Sequence, residues 1–230
     1  MSVMSVTSKV AIASIVEAVL FIALLFGAAG TLEWGAGWAW MVLMFGGGGV
    51  VTALIARRDP ALLAERMRSP MQPGQPLWDK IFLVAMGVLW CACLVLMGLD
   101  AVRFRWSVMP LWLASAGSAL VALSFWLVAR VFLENTFLAP VVKIQTERGH
   151  RVISSGPYAV VRHPLYAAAA IMIPSSALVL GSWWGLAFSV LLLAGLVWRT
   201  VMEERELVAH LEGYAQYARR VRYRLVPFVW

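Results

Sequence analysis

The sequence predicts an all-α, polytopic membrane protein with about six apolar segments. Of the 230 residues, 62% are hydrophobic and only 13% are charged, and the mean hydropathy is +0.81. Several apolar runs approach 20 residues, which is enough to cross a bilayer core of about 30 Å. The basic residues fall between these runs and not on one soluble face, so the net charge of +7 predicts contact with membrane lipids and no nucleic-acid partner.

Four apolar segments precede residue 135 and two follow it. The first is too long for the hydrophobic part of a signal peptide, so we interpret it as a span. The fifth is short and has Pro174 at its centre, which predicts a kinked span or, with the sixth, a short hairpin that does not fully cross. The segments cover residues 10–30, 38–56, 81–99, 110–133, 165–181 and 183–202, and the last continues as a helix to near Pro227.

The distribution of Lys and Arg predicts the orientation. One set of loops carries most of these residues, whereas the opposite set has only Arg103 and Arg105. Because basic loops stay in the cytoplasm, both termini are predicted to be cytoplasmic. Within the first span, Glu17 is an ionisable group at membrane depth. The sequence leaves open whether Glu17 is functional or reaches the interface or a partner helix.

The most distinctive polar passage runs from His150 to Tyr166, just before the fifth segment. Gly156-Pro157 predicts a turn, and Pro164 suits the first turn of a helix. His163 would then lie at the mouth of a helix, where free backbone N–H groups favour an anionic ligand. The alternative is an ordinary loop at the membrane edge whose basic residues face lipid headgroups.

A second polar group ends the sixth segment. Arg199 and Glu203 are four residues apart on one helical face, and Glu204 follows directly. A simple helical ion pair would contribute only a few tenths of a kcal/mol, whereas a guanidinium in an apolar run costs about 2.5–3.5 kcal/mol unless it is matched. We therefore favour a functional role. The histidine spacing predicts no metal site, and the two cysteines, Cys91 and Cys93, are interpreted as packing thiols.

These residues together resemble a known family. Five features, in this order, are similar to those of the isoprenylcysteine carboxyl methyltransferase family. They are G-P-Y-x-x-x-R-H-P-x-Y at 156–166, a proline-interrupted apolar hairpin, E-E at 203–204, Y-x-x-Y at 214–217 and R-V before a final Pro. Its wider relatives include phospholipid N-methyltransferases. The resemblance covers about residues 143–230 and is weaker over the first four spans. It implies an integral membrane enzyme that uses S-adenosylmethionine without a Rossmann domain.

The composition and the lack of a linker predict a single membrane domain over residues 1–230, with four spans in 1–134 and a loop, helical hairpin and C-terminal helix in 135–230. The resemblance implies that the loop binds the cofactor, and it also implies site residues. Arg199 would face the methyl acceptor as the catalytic residue. The implied cofactor-binding residues are Gln145, His150, Arg151, Val152, Ile153, Tyr158, His163, Pro164, Leu165, Tyr166, Glu203 and Glu204.

The methyl acceptor does not follow from the resemblance, because the N-terminal spans that shape its site differ within the family. The expected partners are membrane lipids and a lipophilic acceptor, such as an isoprenylcysteine carboxylate, a phospholipid amine, a quinol-like hydroxyl or a small thiol. The expected location is the inner or plasma membrane, with the cofactor site on the cytoplasmic side. The alternatives are a nicotinamide-dependent lipid or sterol reductase of related architecture, or a non-catalytic lipid-binding membrane protein.

Overall fold

A computed structural model describes residues 5–230, and over these residues the protein is built from helices without strands. The predicted all-α class is thus confirmed. Five helices are long and apolar enough to cross a membrane, and a sixth is apolar but only 17 residues long. The helices are α1 (Val6–Ala29), α2 (Gly35–Arg58), α3 (Pro60–Arg66), α4 (Leu77–Gly98), α5 (Leu111–Glu134), α6 (Pro164–Leu180), α7 (Trp183–His210) and α8 (Tyr214–Arg220).

Capping residues define several helix ends. The Ser5 hydroxyl accepts the Ser8 N–H at 3.1 Å and begins α1. The Asp59 carboxylate accepts the Leu62 N–H at 2.9 Å and begins α3. Such caps satisfy N–H groups that have no partner within the helix. A π-helical turn, Leu99–Arg103, extends α4, and 3₁₀ turns lie at Thr146–Arg148 and Gly156–Ala159.

The α6–α7 hairpin runs from one end of the helical bundle to the other. At its turn, the Ser182 hydroxyl donates to Asp100, which follows α4, at 2.5 Å. Near the other end, Arg199 of α7 lies 3.0 Å from Asp79 at the start of α4. The hairpin therefore spans the length of α4, although α6 alone measures only about 25 Å. This arrangement differs from the alternative prediction, in which α6 and α7 form a short hairpin that stops midway.

Small residues allow two close helix contacts. A Cβ on Gly117 of α5 would lie 2.7 Å from the Leu178 Cβ of α6, and one on Gly98 would lie 2.5 Å from the Leu25 carbonyl oxygen of α1. A run of four glycines, residues 46–49, lies in α2. Only Gly47 of that run faces a neighbour, the Phe125 ring, whereas the other three have open space beside them.

The prediction of one helix continuing to near Pro227 was wrong. Helix α7 ends at His210, and Gly213 adopts a left-handed conformation with φ of 80° that turns the chain into α8. Residues 221–230 then fold back, with the Trp230 carbonyl accepting the Arg224 N–H at 2.8 Å. The break lets the Tyr214 and Tyr217 rings pack with buried apolar residues at the end of α5.

Candidate functional site

A cavity of about 530 Å³ lies where α5 ends, α6 begins and α7 passes into α8. Its wall gathers residues that are far apart in the sequence, and eleven of the thirteen predicted site residues contribute to it. These eleven are His150, Arg151, Val152, Ile153, Tyr158, His163, Pro164, Leu165, Tyr166, Arg199 and Glu203.

Gln145 was predicted as a cofactor contact but does not line the cavity. Its side chain is fully buried and donates from Nε2 to the Phe137 carbonyl at 2.5 Å, while Oε1 accepts from Arg148 at 2.6 Å. Its backbone N–H donates to His150 Nδ1 at 3.3 Å, and the His150 ring stacks on Phe137 at 4.7 Å. Gln145 thus connects two parts of the cavity wall from behind, because it binds Phe137 and His150 at once.

The environment of His150 favours the neutral form of its ring. Burial lowers the pKa of His150, and the nearby positive charge of Arg148 acts in the same direction. The neutral ring has one nitrogen that accepts a hydrogen bond, which fits the bond from the Gln145 N–H.

Glu204 also lies behind the cavity wall. Its carboxylate forms a 2.5 Å ion pair with the buried Arg162 guanidinium and a second ion pair with Arg224. Arg162 in turn donates to the Val221 and Arg222 carbonyls at 2.7 and 2.8 Å. These contacts attach the C-terminal residues to the entrance of α6, so Glu204 holds the segment that carries His163.

His163 has a buried nitrogen that faces no protein partner. It precedes the first turn of α6, its N–H donates to the Arg224 carbonyl at 2.9 Å, and its ring lies parallel to Tyr166. The Nε2 atom is buried and has no hydrogen-bond partner among residues 5–230. Burial lowers the pKa of His163, and the Glu203 carboxylate opposes that shift. Because buried polar atoms are nearly always paired, this nitrogen is the clearest candidate to contact a ligand.

Arg199 and Glu203 do not pair with each other, contrary to the simple helical alternative. The Arg199 guanidinium lies 3.0 Å from an Asp79 carboxylate oxygen, donates weakly to the Pro140 carbonyl at 3.4 Å and sits over the Tyr166 ring. Glu203 instead accepts a hydrogen bond from the Tyr166 hydroxyl. Asp79 was not predicted as a site residue, because an acidic residue in the first turn of a helix is common and does not reveal a partner in another helix.

Three tyrosines complete one side of the cavity. Tyr158 accepts a 2.9 Å hydrogen bond from Asn135, and the Tyr217 hydroxyl donates to the Tyr158 carbonyl at 2.7 Å. The Tyr214 hydroxyl is buried without a partner. Burial raises the pKa of all three phenols, so they remain protonated hydrogen-bond donors at neutral pH. The Y-x-x-Y motif was noted in the sequence, but its two tyrosines were not predicted as site residues.

The cavity has the chemistry to hold a ligand with both charged and flat aromatic parts. The Glu203 carboxylate could bind a cationic group, while His163 and Tyr214 offer unpartnered polar atoms. Val152 and Leu165 add apolar surface. Across residues 5–230 we find no group of three or more His, Cys, Asp or Glu side chains placed to bind a metal.

Two comparisons with known proteins complete this description. No curated protein matches the chain. Residues 112–214 match the family model described as phospholipid methyltransferase. The matched region runs from α5 to the start of α8 and includes the polar passage between α5 and α6, whereas α1 to α4 lie outside it. Residues 112–214, which supply most of the cavity wall, are therefore similar to the phospholipid methyltransferase family.

Proposed function

We propose that the protein is an integral membrane methyltransferase that transfers a methyl group from S-adenosylmethionine to a lipophilic acceptor. The observation that carries this proposal is the shared cavity, into which Tyr158, His163 and Glu203 converge from three separate parts of the chain. The family match over residues 112–214 supports the same reaction type. The excess of basic loops at the cavity end favours a site on the cytoplasmic side of an inner or plasma membrane.

The proposed cofactor fits the polar atoms that the protein leaves unpaired. Glu203 is suited to the cofactor's ammonium group, because among residues 5–230 only the Tyr166 side chain donates a hydrogen bond to its carboxylate. His163 Nε2 and the Tyr214 hydroxyl are suited to its ribose, carboxylate or base. In this proposal Gln145 and Glu204 act from behind the wall and hold the contacting residues in place.

S-adenosylmethionine, when bound, supplies a methyl group on a positively charged sulfur. The protein's task is then to align the acceptor with that methyl group and to exclude water, and little acid–base chemistry is needed. The Tyr166 hydroxyl fixes the Glu203 carboxylate, and the apolar side chains of Val152 and Leu165 keep the cavity partly dry. Arg199 lies at the cavity wall, where it would orient the head of the acceptor.

The narrower proposal concerns the branch of the family. The motifs of residues 143–230 resemble isoprenylcysteine carboxyl methyltransferases, so we propose that the cofactor half of the site is of that type. Arg199, on the proposed acceptor side, is held by Asp79 of α4, which lies outside the matched region. For the acceptor, the proposal therefore extends only to a membrane lipid or another membrane-partitioned molecule.

The test is methyl transfer from radiolabelled S-adenosylmethionine, by purified protein in nanodiscs, to a membrane lipid extract, with the product identified by mass spectrometry. We expect a labelled lipid with the native protein and none with Glu203→Gln. Asp100→Asn, which changes a buried carboxylate at the opposite end of the bundle, should retain activity. No labelled product from varied extracts would contradict the proposal, as would a thermal shift with NADPH but none with S-adenosylmethionine.

A further inference from the structure

Asp79 is a fully buried carboxylate that binds three different parts of the protein. One oxygen pairs with Arg199 of α7 at 3.0 Å. The other accepts from Gln75 Nε2 at 2.8 Å and from the Val142 N–H at 2.9 Å. Asp79 therefore fixes Arg199 against the segment that forms the cavity wall.

The pairing changes what Arg199 can offer to a ligand. A guanidinium with its carboxylate contributes no net charge, so the pair matches an incoming anion poorly. Arg199 is also directed by the Asp79 and Pro140 oxygens, and its Nε is buried without a partner. It can still donate a hydrogen bond into the cavity, but it cannot act as an unmatched cation.

The other cations of the inner cavity are neutralised in the same way. Lys143 pairs with the buried Glu65 at 2.6 Å, and Arg162 pairs with Glu204 at 2.5 Å. Glu203 lines the cavity, and within the described part of the chain only the Tyr166 side chain donates a hydrogen bond to it. Arg151 is exposed to solvent, where its charge is screened. Glu65 also pairs with the largely exposed Arg68, and Glu204 with the partly exposed Arg224. Each buried cation that lines the cavity therefore already has a carboxylate partner, and a desolvated carboxylate ligand there would be costly.

We propose that Asp79 is a specificity-determining residue, which neutralises Arg199 so that the site selects acceptors with an uncharged nucleophile and rejects carboxylates. The acceptor class is then a free amine, hydroxyl or thiol on a lipophilic molecule. This inference rests on the proposed methyl transfer. It names a residue of α4 that lies outside the family match.

The reaction balances for such an acceptor. The lone pair of its nitrogen, oxygen or sulfur forms the new bond to the methyl carbon. The bond from that carbon to the donor sulfur breaks, and both electrons stay on the sulfur, which becomes neutral. The acceptor gains one positive charge and then loses a proton to solvent. Glu203 would favour the developing positive charge electrostatically.

Photo-crosslinking tests the selection without requiring turnover. A photoreactive fatty acid and the fatty alcohol with the same tail are compared in nanodiscs at alkaline pH, where the acid is ionised. Mass spectrometry measures the crosslink yield on cavity peptides, and the acid-to-alcohol ratio cancels differences in membrane partitioning. The variants are Asp79→Asn and the control Asp100→Asn. Asp100 is an equally buried carboxylate that accepts hydrogen bonds from Ser107 and Ser182.

We expect the native protein and Asp100→Asn to favour the alcohol, and Asp79→Asn to raise the acid-to-alcohol ratio at least tenfold. A tenfold change in the ratio corresponds to the free energy that one hydrogen bond to a charged group contributes. If Asp79→Asn does not fold, the double variant Asp79→Asn/Arg199→Gln is used in its place. Neither position is charged in this variant, so it should show the acid-to-alcohol ratio of the native protein. A native preference for the acid, an unchanged ratio in Asp79→Asn, or an altered ratio in the double variant would overturn the proposal. If methyl transfer itself fails, this binding test still decides the role of Asp79.

Discussion

Replacing either of the adjacent residues Glu203 and Glu204 with Gln should affect a different property of the protein. Glu204→Gln removes the charge that matches the buried Arg162, whose side chain is only 6% exposed. Glu203→Gln removes a cavity carboxylate that accepts a hydrogen bond from Tyr166 and has no ion pair. We expect the first variant to lose stability and the second to lose affinity for S-adenosylmethionine.

The magnitude follows from what each residue touches. Breaking a buried ion pair costs about 3–5 kcal/mol. Arg162 keeps its bonds to the Val221 and Arg222 carbonyls, and Arg224 is partly exposed, so we expect the lower limit, about 3 kcal/mol. For a chain of this size, that corresponds to a fall of about 6–12 °C in the thermal midpoint. Glu203→Gln should leave the midpoint within about 2 °C of the native value, since it breaks no ion pair.

The assay combines thermal unfolding in one detergent with equilibrium binding of radiolabelled S-adenosylmethionine. Binding is measured well below both midpoints, so that unfolded protein does not lower the apparent affinity. If Glu204→Gln keeps the native midpoint, or if Glu203→Gln binds S-adenosylmethionine as the native protein does, the division of roles between the two residues is refuted.

Three further predictions test other parts of the structure. Arg199→Ala should abolish methyl transfer while binding of S-adenosylmethionine persists, and joint loss of both in a binding and turnover assay would indicate a structural role instead. Stability should fall as the pH drops below about 6.5, because burial lowers the pKa of His163 and the unfolded chain binds the proton first. This fall is measured as thermal midpoints from pH 8 to 5. His163→Phe should weaken it, whereas His210→Gln, at an exposed position, should not. Gly117→Ala should cost about 1–3 kcal/mol in denaturant unfolding because its Cβ would meet Leu178, whereas Gly46→Ala, with open space beside it, should not destabilise the protein.

The sequence alone was sufficient for the features that depend on local composition. Hydropathy predicted a span at residues 110–133, and α5 occupies Leu111–Glu134. The turn and proline signals at 156–164 predicted the entrance of a helix, and α6 begins at Pro164 after a 3₁₀ turn. Such features follow from residues that are neighbours in the chain.

The features that the sequence did not reveal depend on distant contacts. Asp79 meets Arg199 across 120 positions of sequence, and no local pattern identifies that pair. Gln145 resembled a cavity residue by position, but its amide is used within the wall. The helix break at Gly213 has no hydropathy signal, because the chain there is polar and the turn is stabilised by tyrosine packing against α5.

We expect one cavity, where α5 ends, α6 begins and α7 passes into α8, to bind the adenosyl cofactor. An experimental structure of the protein with S-adenosylhomocysteine, the demethylated product, tests it most directly. In that structure the ligand should lie in the cavity, within hydrogen-bond distance of His163 Nε2 and with its ammonium group at Glu203. A ligand bound elsewhere, or an empty cavity at a saturating concentration, would contradict this expectation.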